Sequence, residues 1–181
     1  MKTKKLTFTV AIIAILIVMA YVPVIPIGVV PITIQNIGIM LAGAILGWRH
    51  GFLAIIAWLL LAMLGLPVLT GGSGGLPHFF GATAGYLWAY PFAALLIGLG
   101  MSMLDKFNAT NFVTILLTIL LFGVIFIDVS GAVGLNIVTH MPLSKALFMQ
   151  LAFIPGDAIK AVLATIITLT LRRRFSMLRH V

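Results

Sequence analysis

An all-α membrane protein of six transmembrane helices, with both termini cytoplasmic, is what this sequence predicts, and three observations carry the prediction. The chain is 62% hydrophobic and 8% charged, against about 25% charged residues in a typical soluble domain, so it cannot cover itself with polar surface. Its mean hydropathy is +1.27. Its 181 residues accommodate six helices of about 20 residues, the length that crosses about 30 Å of hydrocarbon, with short loops left over. Its basic residues cluster at the ends of apolar runs, a pattern that orients a membrane protein and lacks the extended basic face of a nucleic-acid binder. No nucleic-acid partner is therefore expected. The whole chain, 1–181, reads as one transmembrane domain of a multi-pass protein of the cell membrane.

The first apolar run, Leu6 to Val22, follows Lys2, Lys4 and Lys5. It is long for a signal-peptide core and leads into Pro23, Pro26 and Pro31 rather than a polar domain, so it reads as a retained span. Helix two is expected from Ile34 to Gly47 and helix three from Gly51 to Leu66, separated by Trp48, Arg49 and His50. An uncharged stretch from Pro67 to Gly81, containing Gly71-Gly72-Ser73-Gly74-Gly75, breaks the chain before helix four at Ala82 to Leu104. Helix five is expected from Phe112 to Val133. Pro155 and Gly156 interrupt the last helical stretch, Lys145 to Arg174, which predicts a short helix, a break and a final span from Pro155 onward.

Crossing the membrane once per span puts Arg49, Lys106, Arg172, Arg173, Arg174 and Arg179 on the side of the N-terminal lysines and leaves Lys145 outside. Five or seven spans would scramble that asymmetry. The loops after helices one and three then face outward.

Ionisable groups at membrane depth cost about 2.5 to 3.5 kcal/mol on insertion scales, so each asks for a partner or a purpose. Asp105 reads as a solvated charge in a cytoplasmic turn. Asp128 fits either the wall of an external cavity or a plain interfacial position. Asp157 and Lys160 stand three residues apart, on one helical face. Counted back from Arg172, they lie about 22 and about 18 Å deep, beyond reach of cytoplasmic water. Two readings fit: a self-neutralised pair holding the bundle together, or a pair lining a pocket open to the outside that offers one acceptor and one strong donor. The adjacent chain break favours the pocket, because broken helices at membrane depth line cavities or lie buried in protein. Gln35 and Asn36 bring neutral amides to the same outer half, as ligand contacts or as helix glue. The run through Gly74 and Gly75 offers backbone N–H groups as an anion nest, or is a plain flexible loop. Tyr21, Tyr86 and Tyr90 are interfacial anchors or, on the outer side, walls of the site.

The glycine run also satisfies G-x-S-x-G, but no strand precedes it, so a serine nucleophile elbow is not expected. There is no cysteine, which excludes thiolate chemistry, and no metal site is expected. No P-loop sequence occurs, so uphill transport by this chain would need a partner's energy. No enzyme activity is expected.

Pro31-Ile32-Thr33-Ile34-Gln35, the glycine loop ending in Gly74-Gly75, Gly85-Tyr86-Leu87 and Pro155-Gly156-Asp157-x-x-Lys160 together resemble the BioY family, the biotin-specific substrate-binding subunits (S-components) of energy-coupling factor (ECF) transporters. The resemblance covers essentially the whole chain. One departure is Gly81-Ala82-Thr83-Ala84-Gly85-Tyr86-Leu87, where the family commonly has Gly-Pro-Thr-Gly-Gly-Tyr-Leu. The resemblance implies an ECF S-component-like fold and biotin as the transported ligand, with no cofactor. It implies that Asp157 takes the ureido N–H groups and Lys160 the ureido carbonyl, or in reverse orientation that Lys160 meets the ligand carboxylate. Gln35 and Asn36 are then additional partners, Gly74 and Gly75 receive the carboxylate, and Tyr86 walls the pocket. It further implies a transmembrane coupling subunit and two cytoplasmic ATPases as partners. Helix one would dock on the coupling subunit through Thr7, Ala11 and Ala14, a departure from the Ala-x-x-x-Ala pattern of S-components; the same face would equally suit packing within this chain. An S-component for another vitamin, a stand-alone ion-coupled carrier using Asp157, and a purely structural subunit are the alternative readings.

Overall fold

The computed structural model describes residues 2–23, 30 and 33–175, with side chains from Leu6 onward. The side chains of Lys2, Lys4 and Lys5, together with Pro26, Pro31, Ile32 and Arg179, lie outside the described residues. The described elements are helical: α1 (Lys2–Met19), α2 (Asn36–Met63), a 3-10 turn (Leu76–Phe79), α3 (Ala84–Lys106), α4 (Phe112–Ile119), a π-helical segment (Leu120–Ile125), α5 (Phe126–Thr139), α6 (Leu143–Gln150) and α7 (Ile154–Arg174). Four stretches, Asn36–Met63, Ala84–Lys106, Phe112–Thr139 and Ile154–Arg174, are long and apolar enough to cross a membrane.

The first of these is not straight. Twenty-eight helical residues would extend about 42 Å, yet Gln35, just before α2, bonds the carbonyl of Val68, just after it, at 3.0 Å. The chain reverses at Gly47, whose φ of 77° and ψ of 179° lie in a region essentially reserved for glycine. The two limbs then touch: a Cβ placed on Gly51 would stand 2.7 Å from the carbonyl oxygen of Ala42. Helices two and three of the sequence reading are thus the limbs of α2, joined at one residue instead of a three-residue polar turn. The first limb is short because Gly47 follows Asn36 by only eleven positions.

Small residues set the spacing of the bundle, as expected where lipid offers no hydrophobic drive between helices. Gly98 of α3 lies against the backbone of Gly47 and Trp48, and Gly43 of α2 lies against the Ala94 carbonyl. Gly85 of α3 and Gly134 of α5 leave no room for a Cβ on either, and Gly131 lies directly under the ring of Tyr86. The motif Gly85-Tyr86 thus owes its residue types partly to this seam.

Two boundaries differ from the sequence reading. The fifth stretch continues to Thr139, carrying a π-helical segment in which the Phe126 N–H donates to the Leu121 carbonyl, five residues back. The last break falls at Leu151–Phe153, between α6 and α7, and Pro155 belongs to the first turn of α7. Proline is at home there because first-turn N–H groups have no helical acceptor to lose.

The two ends of the bundle differ in charge. Phe8 near the start of α1 meets Phe175 just after α7, with ring centroids 5.5 Å apart. At that end lie Arg49 beside the α2 reversal, Lys106 at the close of α3, and Arg172 to Arg174. Asp105 is not the solvated charge expected: the guanidinium of buried Arg172 grips it by two hydrogen bonds of 2.8 and 3.0 Å, and Thr110 donates to it at 2.8 Å. Replacing Gly47 by alanine forces a Cβ into a glycine-only conformation at ~1–3 kcal/mol, and a lowered thermal unfolding midpoint of the detergent-purified variant is the expected outcome.

Candidate functional site

At the opposite end, a cavity of about 210 Å³ opens among α2, α3, α5 and α7. Its polar wall includes Asn36, Tyr86, Asp128, Asp157 and Lys160, and its apolar wall Val30, Leu69, Leu87 and Phe153. Asp157 lies in the first turn of α7, where the helix dipole favours a carboxylate. One turn on, the Lys160 ammonium donates to Asp157 Oδ1 at 2.6 Å, the two side chains being 11% and 3% exposed. A pair so enclosed is held together by its own charge, while the remaining ammonium N–H groups and the second carboxylate oxygen stay available to a guest.

Gln35 also reaches the cavity, but its amide is already engaged. Its Nε2 donates to the carbonyls of Leu16 at 2.9 Å and Val68 at 3.0 Å, and Thr70 donates to its Oε1 at 2.7 Å. One side chain therefore ties the end of α1, the start of α2 and the loop beyond α2. Trp58 adds a second donor to the Val68 carbonyl at 3.1 Å. Asn36 is differently placed: Tyr90 donates to its Oδ1 at 3.2 Å, and its Nδ2 makes no hydrogen bond among the described residues. Tyr86 donates to Gln150 Oε1 at 2.7 Å, and Gln150 in turn donates to the Ala146 carbonyl at 3.0 Å.

Gly74 and Gly75 depart from the expected anion nest. The N–H groups of Gly71 and Gly72 donate to the Ala20 carbonyl, Ser73 to Leu69, and Gly75 to Ala62, so four of the run's five donors tie the loop to the end of α1, to α2 and to itself. Gly74 is pressed against the Leu66 carbonyl, where no side chain fits. The cavity wall takes Ser73 and Thr70 from this loop, not the two glycines. Thr7, Ala11 and Ala14 occupy the exposed side of α1, while Ile12, Leu16 and Ala20 face the core. Among the described residues, that face of α1 is largely uncovered.

Sequence reasoning offered Tyr90 as an anchor or a wall of the site, and it lines the cavity; His78, Thr83 and Phe153 were not reached. Tyr90 follows Tyr86 by one helical turn, which puts both on the cavity face of α3. The others come from turns whose course no periodicity reveals.

A helical bundle embedded in the membrane, with a cavity of mixed polar and apolar lining near one end and most of its cationic groups at the other, defines a small-molecule-binding membrane protein. The sequence profile of the BioY family matches residues 1–177. The chain is 43% identical over 175 residues to the biotin transporter BioY of Lactococcus lactis subsp. cremoris, covering 96% of this chain and 93% of that protein. It is 41% identical over 148 residues to the probable biotin transporter BioY of Bacillus subtilis, covering 82% and 78%. The crystal structure of an S-component for biotin from an ECF-type ABC transporter superposes with a TM-score of 0.92 at 44% identity, covering 95% of this chain and 92% of that one. This chain belongs to the BioY family and is a multi-pass membrane protein.

Gln35→Leu takes the donor from the buried Leu16 carbonyl and the acceptor from the Thr70 hydroxyl, while Val68 keeps Trp58, at ~1–3 kcal/mol. The expected outcome is a lower unfolding midpoint and faster proteolysis of the loop beyond α2, measured without any ligand.

Proposed function

We propose that this protein is the biotin-binding S-component of an ECF-type vitamin importer, taking biotin from the outer face of the cell membrane. The single observation that carries the reading is the enclosed Asp157–Lys160 pair in the wall of a cavity of mixed polar and apolar lining. Biotin's ureido ring presents N–H donors and a carbonyl acceptor, which Asp157 and Lys160 complement. Its thioether ring and valeryl chain suit the wall of Tyr86, Tyr90, Leu69, Leu87 and Phe153. The ligand carboxylate then falls to the hydroxyls of Thr70 and Ser73 rather than to the backbone of Gly74 and Gly75. Asn36 offers its free amide N–H groups to the ring, and Gln35 contributes mainly by holding the wall.

Six spans and cytoplasmic termini follow on this reading. The two limbs of α2 count as separate spans, and the cationic end is the cytoplasmic one. The energy for inward release comes from a transmembrane coupling subunit and two cytoplasmic ATPases, with the exposed face of Thr7, Ala11 and Ala14 on α1 as the docking surface for the coupling subunit. No covalent chemistry is required of the chain.

Because the chain has no cysteine, single cysteines report topology cleanly. In intact cells, Ser144→Cys is expected to react with a membrane-impermeant maleimide and Asn108→Cys only after the membrane is opened. The reverse pattern would invert the orientation. For the ligand, calorimetric titration of the purified protein with biotin is expected to show tight binding, weakened about 100-fold or more in Asp157→Asn and in Lys160→Met, since each leaves a charged or polar group unmatched. The double variant separates binding from folding: a folded protein blind to biotin supports the reading. Retained binding in that double variant would return the pair to a structural role, and a folded wild type that ignores biotin would end the proposal.

A further inference from the structure

The two N–H bonds of a cyclic urea point to opposite flanks of its carbonyl, so one carboxylate cannot lie along both. If Asp157 accepts one of them, the other needs a second acceptor once the ring has left water. The cavity contains one. Asp128 of α5 lines the same space as Asp157 and Lys160 and is 6% exposed, and its Oδ2 has no hydrogen-bond partner among the described residues.

Among the described residues, three neighbouring donor groups are directed elsewhere. Lys160 is drawn to Asp157 at 2.6 Å, the Tyr86 hydroxyl to Gln150 and the Tyr90 hydroxyl to Asn36. A carboxylate enclosed without a donor is unfavourable, so its retention at this place asks for a donor that arrives from outside the chain. The backbone also keeps it there. Gly131 and Gly134 hold the following turns of α5 against Tyr86 and Gly85, and the π-helical segment just before Asp128 adds a residue to the turn that sets which face of α5 meets the cavity.

We propose that Asp128 is a specificity-determining ligand contact, accepting the second ureido N–H while Asp157 accepts the first and Lys160 donates to the carbonyl. This rests on the biotin reading above and sharpens it: the guest must be a cyclic urea unsubstituted at both nitrogens. A ring lacking either N–H leaves one enclosed carboxylate unmatched and is rejected for that reason.

The test is equilibrium titration of wild type, Asp128→Asn and Asp128→Ala with biotin and with its two mono-N-methyl ureido analogues. Biotin is expected to bind Asp128→Ala about 10- to 100-fold more weakly than wild type, the scale of a hydrogen bond to a charged group. Asp128→Asn, which keeps an acceptor oxygen, is expected between them. The decisive signature is non-additivity. Methylation of the nitrogen that faces Asp128 weakens binding to wild type but brings no further loss in Asp128→Ala, while methylation of the other nitrogen weakens both alike. Unchanged biotin affinity in Asp128→Ala, or losses that add for both analogues, would overturn the assignment. Failure of both variants to fold without ligand would overturn it too, because a carboxylate with no partner in the empty protein holds nothing together. A folded wild type that does not bind biotin at all would instead remove the parent reading.

Discussion

The reversal at Gly47 is the constraint on which the rest of this molecule depends. It returns the second limb of α2 to the end where the first began, so that Gln35 and Val68 meet although 33 positions apart. Without that return, the clamp on the loop beyond α2 has no acceptor, and the loop that supplies Thr70 and Ser73 to the cavity has no anchor. The reversal in turn needs Gly98, since any side chain there would collide with the backbone of Gly47 and Trp48. A backbone conformation, a close helix crossing and a polar cavity are therefore one problem, solved from opposite ends of the bundle.

Charge is distributed by the same logic. At the cationic end, Arg172 is buried but shares two hydrogen bonds with Asp105, and the planar guanidinium suits that two-point grip better than an ammonium would. At the cavity end, Asp157 has the point charge of Lys160, which leaves other donors of the same ammonium free to turn toward a guest. Each ion pair thus uses the cation whose geometry suits its place. A fork fixes the end of α7 to the last turn of α3, and a rotatable donor stands where a ligand must be met.

Much of this was legible in the sequence, and the reasons are physical. Apolar length revealed the helices, because hydrocarbon thickness acts on the chain one segment at a time. Asp157 and Lys160 stood out because i, i+3 spacing is a local fact and buried charge is rare. What was hidden depends on distant partners. Gln35 looks like Asn36 in the sequence, yet its amide is saturated by Leu16, Val68 and Thr70 while Asn36 keeps free N–H groups. Gly74 and Gly75 resembled an anion site because a glycine run advertises its N–H groups without showing which carbonyls will occupy them. Asp105 looked solvated because Arg172 lies 67 positions away.

The arrangement also bears on how strongly such a cavity can hold a small polar guest. The cost of enclosing Asp157 and Lys160 is met at folding by their mutual contact, so a ligand need not strip water from two separated ions when it enters. The tie from Tyr86 to Gln150 and that from Tyr90 to Asn36 fix side chains that would otherwise lose rotamer freedom on binding. The apolar wall then adds a gain proportional to the area it covers. A site organised in this way captures its ligand without bond chemistry, and by the same token it does not readily let go. The loop held by Gln35 is part of that wall and hangs from the end of α1. The opposite part of that helix leaves the small residues Thr7, Ala11 and Ala14 exposed. A partner engaging α1 there would act on a rigid rod whose far end carries the Leu16 and Ala20 carbonyls to which the clamp and the loop are fastened.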